Sequence, residues 1–239
     1  MNNTILTFNF NGYDTFHSHF YEDELNYVLI TDDISRKMLS WDIKYPINIQ
    51  NMSDWEKTLY VRYHPFEFTE SDIVAVIDGS MVIGKYANYL IKKFEDSNYD
   101  IAIPISHQIY CEERIQRWES QNRINCNESK KLIKFLKDNN SKKYKGCLSG
   151  AIRIIRKNEK TIKWLEDTYN QLYQLGENDK PVRLDEVIST ITLCVQHPEI
   201  NCMPLANNIM DGDVFQYTKH KTGTPIHLKK QSKIYFKND

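Results

Sequence analysis

The sequence predicts an α/β fold, a mixed and mostly parallel sheet flanked by helices, and three observations carry that prediction. Short runs of β-branched apolar residues such as Ile73–Ile77 are too short for helices and read as strands covered on both faces. Between them lie stretches with apolar residues at helical spacing, Tyr86, Leu90 and Phe94 among them. No internal repeat or low-complexity linker interrupts the 239 residues, so 1–239 reads as a single domain.

Taken in order, Ile5 to Phe10 alternates and stops at Asn11-Gly12, a first strand and its turn, with Tyr13-Asp14 at the carboxyl end. Asn26 to Thr31 is a second short buried strand closed by Asp32-Asp33. Two strands that both end in polar, aspartate-containing loops suggest a nucleotide cradle at one edge of the sheet. Capping of a helix or turn by aspartate explains them as well. His17 and His19 are metal ligands by type, and equally a surface pair in a loop. Trp41 to Ile49 reads as an edge strand, because Pro46 would interrupt a central one. Ser53 or Asp54 then caps a helix carrying Trp55, Leu59 and Arg62 and ending before Pro65.

The stretch 71–84, SDIVAVIDGSMVIG, organises the rest. A buried run ends at Asp78-Gly79-Ser80, and in open α/β sheets ligands bind at that end of a strand. Asp78 and Ser80, two residues apart, are oxygen groups suited to a divalent cation on a nucleotide diphosphate. A strand-ending turn is the plainer reading, since Asp-Gly is a common turn pair. Arg62, shortly upstream, suits phosphate oxygens or a neighbouring carboxylate, or is a solvated helix arginine.

Lys85 to Asn98 reads as an amphipathic helix and Asp100 to Ile105 as a strand. His107, Tyr110, Glu112 and Glu113 follow at the start of a helix, placed for acid/base work or for holding hydroxyls. First-turn carboxylates that answer the helix dipole give the same pattern. Asn127 to Asn140 is a helix with a basic face, continued by Lys142, Lys143 and Lys145. A solvated face accounts for the 130–145 lysine cluster, and contact with anionic lipid or a phosphorylated acceptor is the sharper alternative. Gly146 to Arg156 reads as one strand whose small entry residues, Gly150 included, let a backbone approach a ligand. Asn158 caps a long helix that stops at Gly176. Pro181 opens another, with Asp185 and Glu186 near its amino terminus. Asn201 to Met203 is a last strand, and 201–239 is otherwise an irregular segment that closes the site, with His220 and Gly223 in it.

The bulk composition narrows the function. A formal net charge of −1 argues against an electrostatic nucleic-acid binder. Five cysteines, an odd number with no CxxC pair, argue against a zinc knuckle or disulfide framework and for a reducing compartment. No apolar stretch approaches the roughly 20 residues of a membrane span. The amino terminus MNNTILTFNFNGYD lacks the basic and apolar regions of a signal peptide. The expectation is a cytoplasmic protein, working at the inner face of the membrane if the lysine cluster touches lipid.

An ordered set of segments resembles the TOD1/MUCI70-like glycosyltransferase family, of GT-A-type (Rossmann-like) fold: NGYD, YVLITDD, an arginine before HPFEF, VIDGSMVI, SHQIYCEE, SGAIRIIR and LDEVIST, together spanning most of residues 5–195. The resemblance implies transfer of a sugar from a nucleotide donor, a UDP-sugar, to a hydroxyl acceptor on a glycan or lipid-linked saccharide in polysaccharide synthesis. It implies that Asn11, Tyr13 and Asp32 contact the nucleoside. Asp78, Gly79 and Ser80 would face the diphosphate, and Arg62 would assist electrostatically. Asp78, Ser80 and, in HKTGTP, His220 would hold Mn²⁺ or Mg²⁺. Asp185 would be the first choice of catalytic base and Glu113 the second, with His107, Tyr110, Gly150, Asp185 and Glu186 on the substrate side. Two departures stand out: Arg62 is followed by His64-Pro65 where the family favours a lysine, and DGS replaces the usual DxD. A sugar- or nucleotide-binding protein without catalysis is the alternative on the same fold.

Overall fold

The computed structural model describes residues 2–14, 19–35, 40–142, 144–205 and 215–217, without the side chains of 106–108, 204 and 215–217. The chain forms β1 (Asn3–Asn9), β2 (Leu25–Thr31), β3 (Asp42–Lys44), α1 (Asp54–Tyr63), β4 (Ile73–Asp78), β5 (Met81–Ile83), α2 (Ala87–Glu95) and β6 (Ile101–Tyr110). After these come α3 (Cys111–Ser120), α4 (Cys126–Asp138), β7 (Lys145–Leu148), β8 (Ile152–Arg156), α5 (Glu159–Leu175), α6 (Asp185–Ile191), β9 (Cys202–Leu205) and β10 (Phe215–Tyr217).

The main sheet runs β3-β2-β1-β4-β8-β6-β7, with β9 also on β6. Pairings among β3, β2, β1 and β4 are parallel, as is β6 with β9, while β8 is antiparallel to β4 and β6, and β7 to β6. The expected architecture, a mixed and mostly parallel sheet flanked by helices, is the observed one. One face is covered by α1, α3, α4, α5 and α6, whose Leu59, Ile115, Leu132, Trp164 and Ile188 pack on Leu6, Val28 and Val76 of the sheet. The other face is covered by α2, through Leu90, Ile91 and Phe94 against Ile5, Leu29 and Ile77. Alternate residues of β1, β2 and β4 thus enter opposite cores, which is why those strands read as unbroken apolar runs.

Several boundaries differ from the sequence reading for local reasons. Only Asp42–Lys44 of the Trp41–Ile49 stretch is strand, and beyond Pro46 the chain coils into a single 3-10 turn, Ile47–Ile49. Gly146–Arg156 is two strands rather than one: β7 and β8 both pair with β6, the chain breaks at Ser149–Ala151 where the register shifts, and β8 pairs with β4 as well. Pro181 lies outside α6, which begins at Asp185; Val182 instead donates its N–H to Leu172 of α5. Met81–Ile83 leaves the main sheet and pairs with β10, within a segment expected to be irregular. The caps expected at Ser53 and Asn158 are both present, each in a reciprocal capping box.

Candidate functional site

β1, β2 and β4 end side by side, with Asn9 opposite Thr31 and Phe8 opposite Asp78. The carboxyl edge therefore gathers the 9–14 turn, Asp32 and the Asp78-Gly79-Ser80 turn, the position where open α/β sheets hold ligands. The first turn is closed by Asn9, whose side chain donates to the Asp14 carbonyl (2.9 Å) and accepts from the Asp14 N–H (3.1 Å). Asn11 and Gly12 lie at φ 52° and 60°, the left-handed region that asparagine and glycine tolerate best.

Gly79 is where this turn meets the β4 turn. A Cβ there would sit 2.5 Å from the Phe8 carbonyl oxygen and 2.8 Å from Asp14 Oδ2. Glycine is needed because a neighbouring backbone passes too close for any side chain. Gly79→Ala is expected to displace the β4 turn and destabilise the protein by about 1–3 kcal/mol, read as a lowered urea midpoint with unchanged slope.

At the β2 end, Asp32 accepts from the Asn11 N–H (2.8 Å) and from Lys57 Nζ (3.0 Å). Burial pushes its carboxyl up, and the Asn11 amide and the Lys57 ammonium outweigh that push, so it titrates below the ordinary range. Because the folded state depresses this group, its contribution is fully present above the unfolded value of about 3.9 and is lost as pH falls through the folded one. Lys57→Met is expected to shift the acid limb of thermal stability to higher pH, measured by melting between pH 2 and 6. Beside this pair opens a crevice of about 160 Å³ lined by Phe10, Thr31, Asp32, Tyr45, Ile49 and Lys57, among others.

α1 crosses the strand ends, since Lys57 reaches the end of β2 and Arg62 the end of β4, with β1 between them. Arg62 is fully enclosed and forks between two carboxylates: Nη2 donates to Asp78 Oδ1 at 2.6 Å and Nη1 to Asp185 Oδ2 at 2.7 Å. Burial works against its charge, but Asp185 and Asp78 more than offset this and raise its pKa. The Tyr63 hydroxyl also donates to Asp185 (3.3 Å). Burial, then the Asp185 carboxylate, push that phenol up to about 12. Arg153, on β8, lies against the same carboxylate, with Nη2 at 3.9 Å. It is 1% exposed, its guanidinium faces the rings of Tyr63 and Trp164, and its three nitrogens have no hydrogen-bond partner among the described residues.

The structure thus joins Arg62, Asp78 and Asp185 in one network, with Gly150 packed against it: a Cβ at 150 would stand 3.3 Å from Arg62 Nη1. Glu186, next along α6, turns to α3, where Arg114 donates to its Oε2 through Nη2 (2.8 Å) and Nε (3.3 Å). Burial raises the Glu186 pKa, and Arg114 offsets only part of the rise. Glu113 is exposed on α3 and takes no part in the network, and Tyr110, half exposed, caps the same helix. Tyr13 is exposed at the first turn, and Ser80 is buried. His17 and His220, and the side chain of His107, lie outside the described residues.

Within the lysine cluster, Lys131, Lys134 and Lys142 stand near Glu177, Asp138 and Glu112 respectively, so part of its charge is met within the protein. Among the described residues no helix is long and apolar enough to cross a membrane.

The expected cation site can be tested on its donors. Among the described residues no three His, Cys, Asp or Glu side chains converge as a metal ion requires. Asp78 Oδ1 is already held by a guanidinium, and the third position of the DGS turn offers a buried hydroxyl rather than a carboxylate. The described residues do not fit a divalent cation.

Lys57, Arg114 and Arg153 carry this geometry without having stood out in the sequence. The signal for Arg153 was there, an arginine inside the apolar run Ile152–Ile155; a charge inside a buried strand must meet a counter-charge.

No family model matches the chain, and no curated protein matches it. Among solved structures the fold is similar to apo mouse xyloside xylosyltransferase 1, with 9% identity, a TM-score of 0.48, and 83% of each chain covered.

Proposed function

We propose that the protein is a glycosyltransferase that moves a sugar from a nucleoside-diphosphate donor, a UDP-sugar, to a hydroxyl acceptor on a glycan or lipid-linked saccharide. The observation that carries this reading is the placement, along one carboxyl sheet edge, of an apolar crevice beside Asp32 and of the Arg62-backed Asp78 turn. The ordered motifs resembling a glycosyltransferase family support it from the sequence.

In this reading the nucleoside enters the crevice between Tyr45 and Lys57, and the diphosphate lies over the Asp78-Gly79 turn. Arg62 stabilises charge that develops on the leaving diphosphate. Asp185, 4% exposed and bound by Arg62 and Tyr63, holds that arginine in place. The proton-accepting role expected of Asp185 fits Glu186 better. Its Oε1 has no partner among the described residues, and burial makes its carboxylate more basic. Glu113, facing solvent, is set aside for that role.

Titration calorimetry with UDP tests the proposal. Binding by the wild type that weakens about tenfold in Asp32→Ala, a loss of about 1.4 kcal/mol, supports it. A wild type that binds no UDP rejects it.

A further inference from the structure

Four charged side chains meet at the exit of β4. Arg62 bridges Asp78 and Asp185, and Arg153 lies 3.9 Å from the same Asp185 oxygen. Two guanidinium groups and two carboxylates sum to zero, so the cluster is neutral without a bound ion. A motif that offers a diphosphate two bare carboxylates needs two added positive charges to reach the same balance, and a divalent cation supplies them. Here both charges are built into the chain.

Burial makes the arrangement costly to keep for packing alone. Arg62 and Arg153 are 5% and 1% exposed, and Arg62 Nε and all three Arg153 nitrogens lack hydrogen-bond partners among the described residues. A buried guanidinium short of partners lowers stability relative to an apolar side chain of similar size. A divalent cation brought to Asp78 would also face Arg62, whose Nη2 lies 2.6 Å from Asp78 Oδ1. Two positive groups on one carboxylate repel each other.

We propose that the Arg62–Arg153 pair stands in for a divalent cation, so that this site takes up a nucleoside diphosphate without metal. The inference rests on the nucleotide-donor reading above and deepens it. Arg62 is the group nearest the diphosphate. Arg153 is a positioning residue: it shares Asp185, which leaves more of the Arg62 charge available on the Asp78 side.

The test uses the full chain and two probes, UDP and Mn²⁺. Calorimetry with UDP is run in EDTA and again in excess MnCl₂, and Mn²⁺ alone is titrated with protein while the free-ion paramagnetic resonance signal is followed. The expected result is a UDP affinity equal in the two buffers to within about twofold and a free Mn²⁺ signal that protein does not deplete. Arg153→Met is expected to weaken UDP in EDTA by about tenfold and Arg153→Lys, which keeps the charge, by much less. Should the methionine variant not fold, the lysine variant and the two wild-type titrations still decide.

An affinity that rises tenfold or more with Mn²⁺ overturns the inference. So does Mn²⁺ uptake by the wild type that disappears in Asp78→Asn. UDP binding in neither buffer instead rejects the nucleotide reading, and the Mn²⁺ titration then still reports whether Asp78 holds a cation.

Discussion

Arg62→Met is expected to destabilise the protein by about 3–5 kcal/mol, the usual result of removing one partner from a buried ion pair. The methionine fills much of the volume, so the loss is electrostatic rather than a cavity. Among the described residues Asp185 would keep only the Tyr63 hydroxyl at 3.3 Å and Arg153 at 3.9 Å. Asp78, partly exposed, can recover water and contributes less. Chemical unfolding at neutral pH measures the effect, and melting should fall by about 10 °C or more for a chain of this size. A loss under about 1 kcal/mol would mean that the fork between the two carboxylates is not made in solution. Arg62→Lys should fall between, since an ammonium restores the charge but not the two-pronged geometry.

Asp78→Asn carries the second large effect, on turnover. The substitution keeps the shape of the turn, including the N–H that donates to Ala151, but frees Arg62 Nη2 from its charged partner. The amide oxygen can still accept from Nη2, but of the two groups that hold the guanidinium only Asp185 then keeps its charge. Losing one preorganised electrostatic contact in a site of this kind lowers kcat by about 10²–10³-fold. The measurement is hydrolysis or transfer of the donor sugar, compared with Tyr89→Phe, a change at an exposed position of α2. Equal turnover in wild type and Asp78→Asn would remove Asp78 from the chemistry and leave it a strand-ending turn.

What the sequence made legible follows from how locally each feature is encoded. The strands at Ile73–Asp78 and Leu25–Thr31 announce themselves because two-sided burial demands apolar residues at every position. The caps at Ser53 and Asn158 are read from four consecutive residues. The Asp78 turn was found because a carboxylate at the end of such a strand stands out. The partnership of Arg62 with Asp185 was not legible, since it joins residues 123 positions apart, one on α1 and the other on α6. Nor was the break at Ser149–Ala151: β7 and β8 both pair with β6, and only the shift of register between the two pairings marks it. Arg153 shows the same limit from the other side. Its burial is implied by its isoleucine neighbours, but its counter-charge lies on a helix that the strand pattern does not mention.

The claim on which the rest depends is that the sheet edge between Asp32 and Asp78 receives a nucleoside diphosphate. A crystal structure of the protein soaked with UDP tests it most directly. The account predicts the base in the crevice beside Tyr45 and Lys57, with the β-phosphate against the Asp78-Gly79 turn on the Arg62 side. UDP bound at another face, with this edge unchanged and filled only by water, would contradict it.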